Sequence, residues 1–167
     1  MSRSFGFAID SRAQVEQILS AFGERDYWLA RLSRFGALDT LDSLSVESDG
    51  TVTAVMVKDA HRREERSPIA KYLPTQWRVA QKEQWHPIGE RQVRGKLSIT
   101  SYGTPAYAAG TALLAPAGAG SRLECAATVE FKAPLFGKQV EKAMGRILTQ
   151  SVTALQNFTA DWIDVHS

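Results

Sequence analysis

Apolar and polar positions alternate, then recur every three or four residues, then alternate again along this chain, and it closes on a second stretch of helical spacing. Phe5, Phe7 and Ile9 alternate with small or polar residues, which predicts a half-buried strand. Asp10 or Ser11 then offers an N-cap, and Val15, Ile18, Leu19 and Phe22 recur as one face of a short helix. A second helix is expected from about Glu24 to Phe35, with Trp28, Leu32 and Phe35 on one side and Gly36 as its stop. Period-two patterning resumes at Leu44 and Val46, turns at Ser48-Asp49-Gly50, and continues through the β-branched run Val52 to Val57. Residues 59 to 71, with His61-Arg62-Arg63-Glu64-Glu65-Arg66 and Pro68, read as a charged, exposed loop.

Further strands are predicted at Gln76–His86, Arg91–Tyr102, Ala106–Leu114 and Arg122–Phe131, separated by turns at Gly89, Gly103-x-Pro105 and Pro116–Gly120. From Lys138 to Val165, apolar side chains return at Val140, Met144, Ile147, Leu148, Val152, Leu155, Phe158 and Trp162, the spacing of one helix face. Such a helix runs roughly 40 Å. A face that long requires a wide apolar partner, so the expected object is an α+β fold: seven antiparallel strands in a curved sheet, two short helices after the first strand, and a long C-terminal helix across the concave side. Sheet and helix together can enclose a pocket.

Several strand positions are small: Ala80, Gly95, Ala106, Ala108, Ala109, Gly110, Ala112, Ala126 and Ala127. Small residues facing a helix either let it approach closely or leave space between the layers, and both readings stay open here.

At 167 residues the chain can bury about two-thirds of its unfolded surface, so one domain spanning 1–167 is expected. A net charge of +2 from 20 basic and 18 acidic residues points away from a nucleic-acid partner. The single Cys125 excludes an internal disulfide and lies in an alternating run that would bury it in a strand. No stretch approaches a membrane span, and the first residues lack the features of a secretory signal, so a cytoplasmic protein without stable membrane insertion is expected. The sequon Asn157-Phe158-Thr159 falls inside the predicted terminal helix and is read as chance.

Candidate chemistry concentrates on one strand face that carries Trp77, Val79, Gln81, Glu83 and Trp85. Turned inward, Glu83 would have its pKa raised by burial unless a cation paired with it. It would then hydrogen-bond a ligand or serve as a general acid or base; the plainer alternative is pairing with a neighbour such as Arg94 or Arg78. Tyr102 and Tyr107 flank the Gly103-x-Pro105 turn and either present phenols to a cavity or cap the turn. Leu97 shares a face with Val93, Gly95 and Ile99 and is a candidate for lining the cavity. Mid-helix, Met144, Leu148 and Val152 are the candidates for pocket lining, with Phe158 and Trp162 closing one end. His61 with Glu64 and Glu65 is the sole histidine cluster at ligand spacing, and no metal or cofactor is assigned. There is no G-x-S-x-G, P-loop or GxGxxG motif, and no catalytic residue is assigned.

Tyr27-Trp28-x-x-Arg31, Leu73-Pro74, Glu83-x-Trp85, Gly103-x-Pro105, Pro134-Leu135-x-Gly137-Lys138-x-x-Glu141 and Phe158-Thr159-x-x-Trp162 occur in that order. With the element order, they resemble the helix-grip superfamily, also called START-like, birch-pollen-allergen-like or SRPBCC, and more narrowly an actinobacterial branch of unknown function. The resemblance implies a hydrophobic cavity between sheet and terminal helix that holds lipids, sterols, polyketides or other apolar small molecules. The charged 59–71 loop looks longer and more polar than that branch implies.

Three functions follow as expectations. The first is carriage or sensing of an apolar small molecule in a cavity of a few hundred cubic ångströms. The second is a cyclase or aromatase using Glu83 or a tyrosine as proton shuttle. The third is an interaction module with a packed core, presenting Arg62, Arg63 and Arg66.

Overall fold

The computed structural model describes residues 2–36, 39–59, 78–102, 106–131 and 138–167. Strand β1 (Ser2–Ser11) leads into helices α1 (Val15–Phe22) and α2 (Arg25–Phe35). Six strands follow: β2 (Asp39–Val46), β3 (Val52–Asp59), β4 (Arg78–Ile88), β5 (Gln92–Tyr102), β6 (Ala106–Ala117) and β7 (Gly120–Phe131). Helix α3 (Lys138–His166) closes the described chain. All seven strands form one antiparallel sheet in the order β1-β7-β6-β5-β4-β3-β2, so the first strand pairs with the last.

Turn chemistry fixes the hairpins. Gly50, Gly89 and Gly118 adopt φ of 88°, 53° and 57°, the left-handed region where a side chain is disfavoured. In β2 the register shifts between Leu41 and Ser43. That bulge brings Leu41 and Leu44, three residues apart, onto the same core-packed side, which an unbroken period of two would not do. Strand β6 runs three residues beyond the expected Leu114, through Ala115, Pro116 and Ala117, because Pro116 still pairs with Ser121 in the hairpin.

The core gathers where α1, α2 and the C-terminal part of α3 meet the sheet. Val15, Ile18, Phe22, Tyr27 and Trp28 are buried there with Val52, Val93, Leu114, Ala160 and Ile163. Trp28 Nε1 donates to the Phe22 carbonyl at 2.7 Å, pinning α2 to the end of α1. At the other end, Gly145 lets α3 lie close to β1: a Cβ there would stand 3.2 Å from the Phe5 ring. One member of the expected apolar stripe departs from it, since Ile147 is 59% exposed. Thr159, Ala160 and Ile163 are buried instead, so the inward stripe drifts around the helix toward its C-terminus.

Candidate functional site

Between α3 and the concave face of the sheet lies a cavity of about 140 Å³. The sheet floors it with Phe7, Leu97, Gly110, Ala112, Leu123, Cys125 and Ala127. Helix α3 roofs it with Leu148, Val152, Leu155, Gln156 and Thr159, which recur at helical spacing. Phe22, Tyr27, Arg31, Gln81, Glu83, Trp85 and Gly95 form one end.

The small strand residues do two different things. Gly110, Ala112 and Ala127 leave the floor shallow. Gly95 instead seats the Trp85 indole, because a Cβ there would lie 2.5–2.9 Å from three atoms of that ring. The volume falls below the few hundred cubic ångströms expected, since aromatic rings fill the closed end. Phe22 stacks against Trp85 with centroids 4.9 Å apart and against Tyr27 at 5.4 Å. Phe158 and Trp162 are not in the lining; they pack on Tyr27 at 6.0 and 5.5 Å.

A polar network crosses this end. Strand alternation turns Gln81, Glu83 and Trp85 to the same side, and α2 lowers Arg31 onto them. The Arg31 guanidinium grips both Glu83 oxygens, Nη2 to Oε1 at 2.5 Å and Nη1 to Oε2 at 3.2 Å. Gln81 Nε2 adds a bond to Oε1 at 2.9 Å, and Trp85 Nε1 adds one to Oε2 at 3.2 Å. Four donors therefore surround a carboxylate that is 5% exposed. Burial pushes the Glu83 pKa up, but the Arg31 charge and these hydrogen bonds outweigh it, and the net shift is downward. The Arg31 pKa shifts upward, its desolvation outweighed by the Glu83 charge, so both partners favour the ionised pair. The cation that pairs with Glu83 is thus Arg31, not Arg78 or Arg94, both of which are exposed.

The network continues to α3. Tyr27 and Thr159 hydroxyls lie 2.7 Å apart, and Thr159 Oγ1 donates its one hydrogen to the Leu155 carbonyl at 2.8 Å. Tyr27 is therefore the donor of the pair. Burial pushes its phenol pKa up, which keeps that hydrogen in place.

Of the residues singled out from sequence, Gln81, Glu83, Trp85, Leu97, Leu148 and Val152 line the cavity. Val79 is half-buried and outside the lining. Tyr102 is 57% exposed and its phenol is not in the lining. Trp77 lies outside the described residues, as do His61, Glu64 and Glu65, and so do the side chains of Tyr107 and Met144. The buried Arg31 was visible only as part of Tyr27-Trp28-x-x-Arg31, with nothing local to name Glu83 as its partner. Gln156 left one trace, a polar residue inside the apolar stripe. Cys125 lines the floor, its thiol pKa pushed up to about 11 by burial, so it stands as an uncharged thiol at neutral pH. Among the described residues, no three His, Cys, Asp or Glu side chains converge at metal-binding distance, and no helix is long and apolar enough to cross a membrane.

The family described as "Protein of unknown function (DUF2505)" matches residues 7–163. "Uncharacterized protein Rv0481c" of Mycobacterium tuberculosis is 31% identical over 170 residues, covering 98% of each chain. Among solved structures, norcoclaurine synthase from Thalictrum flavum superposes with a TM-score of 0.55 at 15% identity, covering 98% of this chain and 87% of that one. Ara h 8.0201 superposes with a TM-score of 0.53 at 11% identity, covering 98% of both chains. At these identities the superpositions speak to the fold, while the match across 7–163 assigns the family. The chain belongs to the DUF2505 family and has the helix-grip fold of the START-like, birch-pollen-allergen-like proteins.

Proposed function

We propose that the protein binds a hydrophobic small molecule between sheet and α3, and carries or senses it rather than transforming it. The observation that carries this reading is the void itself, a mostly apolar space of about 140 Å³ at the centre of the grip. A close-packed interior has few voids larger than a water molecule, and one lined by Phe7, Leu97, Leu123, Leu148 and Val152 favours an apolar guest over solvent. Burying an aromatic ring of about 200 Å² at roughly 25 cal/mol per Å² gains on the order of 5 kcal/mol before the costs of association. In this reading a single domain acts in the cytoplasm on a small-molecule partner, with no nucleic acid and no cofactor.

The cyclase or aromatase alternative draws less support. A proton shuttle needs a group that changes protonation near neutral pH, whereas Glu83 is held ionised with both oxygens engaged and Tyr27 retains its hydrogen. The interaction-module alternative requires a solid core, and the void counts against it.

Native mass spectrometry of gently purified protein tests the proposal when paired with Ala112→Phe, which fills the floor of the cavity. Wild type is expected to carry an apolar adduct that the folded variant lacks. Identical spectra for the two proteins would contradict binding at this place.

A further inference from the structure

Gln81 lines the cavity from β4, and the group beside it fixes the direction of its amide. Glu83, paired with Arg31, is an ionised carboxylate that can only accept, so the Gln81 Nε2 must face Glu83 Oε1, 2.9 Å away. The amide Oε1 is thereby turned to the opposite side. No donor among the described residues bonds to it. Unlike the Gln156 Oε1 of the roof, which is sealed off from the space, it stays accessible on a half-buried residue. A buried ion pair therefore holds in place an acceptor whose free side belongs to the lining.

The other polar groups of the lining are committed or face elsewhere. Each Glu83 oxygen takes two donors, and the Arg31 guanidinium spends its fork on Glu83 while lying over the Trp28 ring at 4.8 Å. The Tyr27 hydrogen goes to Thr159, and the Thr159 hydrogen goes to the Leu155 carbonyl. Lys96 and Thr111 are paired across β5 and β6, each next to a residue that faces the cavity, Leu97 and Ala112. Strand alternation sends both of their side chains to the outer face, where both residues are exposed, so the Lys96 ammonium brings no charge into the space. Arg31 and Glu83 neutralise each other, and an ionic guest would lose its hydration without finding a free counter-charge. The volume of about 140 Å³ is close to the roughly 150 Å³ apolar void that takes up benzene, which sets the guest at about one ring.

We propose that Gln81 sets the specificity of the cavity: its Oε1 accepts a hydrogen bond from the O–H or N–H of a neutral guest about one aromatic ring in size. This inference rests on the binding reading above and names the class of ligand that site admits.

Phenol and toluene, near-equal in shape and differing in the donor, are the probes, titrated into the full chain by calorimetry. Wild type is expected to bind both. Gln81→Met removes the acceptor at similar length and leaves Glu83 its bonds from Arg31 and Trp85. In that variant the ratio of phenol to toluene affinity should fall about fivefold, the worth of one hydrogen bond to a neutral acceptor, while toluene affinity stays within about threefold. An unchanged ratio, with toluene still bound, would overturn the role of Gln81 and leave its oxygen to solvent. Failure of wild type to bind either probe would overturn the cavity reading itself, and this inference with it. Should Gln81→Met not fold, the side-chain amide resonance of Gln81 in wild type decides. Movement with phenol but not toluene supports the inference, and equal response to both overturns it.

Discussion

At the scale of single residues, the central feature is a charge pair taken out of water. Arg31 and Glu83 are 7% and 5% exposed, and they hold each other ionised across the closed end of the cavity. Removing one partner leaves the other as an uncompensated buried charge. Arg31→Met is therefore expected to destabilise the fold by about 3–5 kcal/mol in urea denaturation, while Arg31→Met combined with Glu83→Met regains most of that loss. Equal, additive losses would contradict the pairing. The pair also sets an acid limit. Because folding lowers the Glu83 pKa from the ordinary value of 4.5, the unfolded chain binds the proton first, so this stabilisation is complete above about pH 4.5. It is lost as pH falls from there through the folded-state value. Glu83→Gln should flatten that part of the stability–pH curve, and an unaltered slope would show that Glu83 is not its source. Period-two alternation placed Glu83 on one face with Gln81 and Trp85, but left open whether that face turns inward. It could not reveal Arg31, because the two lie 52 residues apart and meet only through the packing of α2 on β4. Gln156 was hidden for a related reason: a polar residue in a helical stripe looks like an edge position until the neighbouring layer is in place.

The elements themselves were largely written in local patterns, since their turns and caps act over a few residues. Asp49-Gly50 and Gly89 mark hairpins through the positive φ that glycine accepts, and Gly36 closes α2 by donating its N–H to the Leu32 carbonyl at 2.7 Å. Departures occur where tertiary packing overrides the local signal. The bulge in β2 realigns Leu41 with Leu44, Pro116 stays within the β6–β7 ladder, and Ile147 faces outward because the buried stripe on α3 wanders from a fixed period. The small residues were ambiguous for the same reason: Gly95 serves packing and Gly110 serves the void, which depends on whether a large ring crosses above. Gly95→Ala is accordingly expected to cost about 1–3 kcal/mol through its clash with Trp85, read as a lower thermal midpoint. Adding Trp85→Leu should remove most of that penalty, and a Gly95→Ala protein as stable as wild type would contradict the seating of the indole. The link from α2 to α3 has its own test. Tyr27→Phe removes the hydrogen bond to Thr159 and is expected to cost about 1 kcal/mol, with faster amide exchange in the second half of α3. Unchanged exchange there would mean the hydroxyl does not tie the helix down.

For the molecule as a whole, function depends on how completely α3 fills the concavity of the sheet. Aromatic rings and the Arg31–Glu83 pair occupy one end, Phe5 meets Gly145 toward the other, and the middle of the helix spans a floor of small residues. This arrangement keeps the helix anchored at both ends while leaving space beneath Leu148 and Val152. That sheet and helix could hold a space between them followed from the order of elements, but whether they do and how large it is did not, because both are set by rings contributed from α1, α2 and β4 together. Crystals pressurised with xenon test this most directly, since an apolar void without water takes up the gas. Xenon density bounded by Leu97, Ala112, Leu148 and Val152 is the predicted result. Absence of xenon at that position, with the α3 side chains in contact with the β6 and β7 backbones, would contradict the cavity on which the functional account is built.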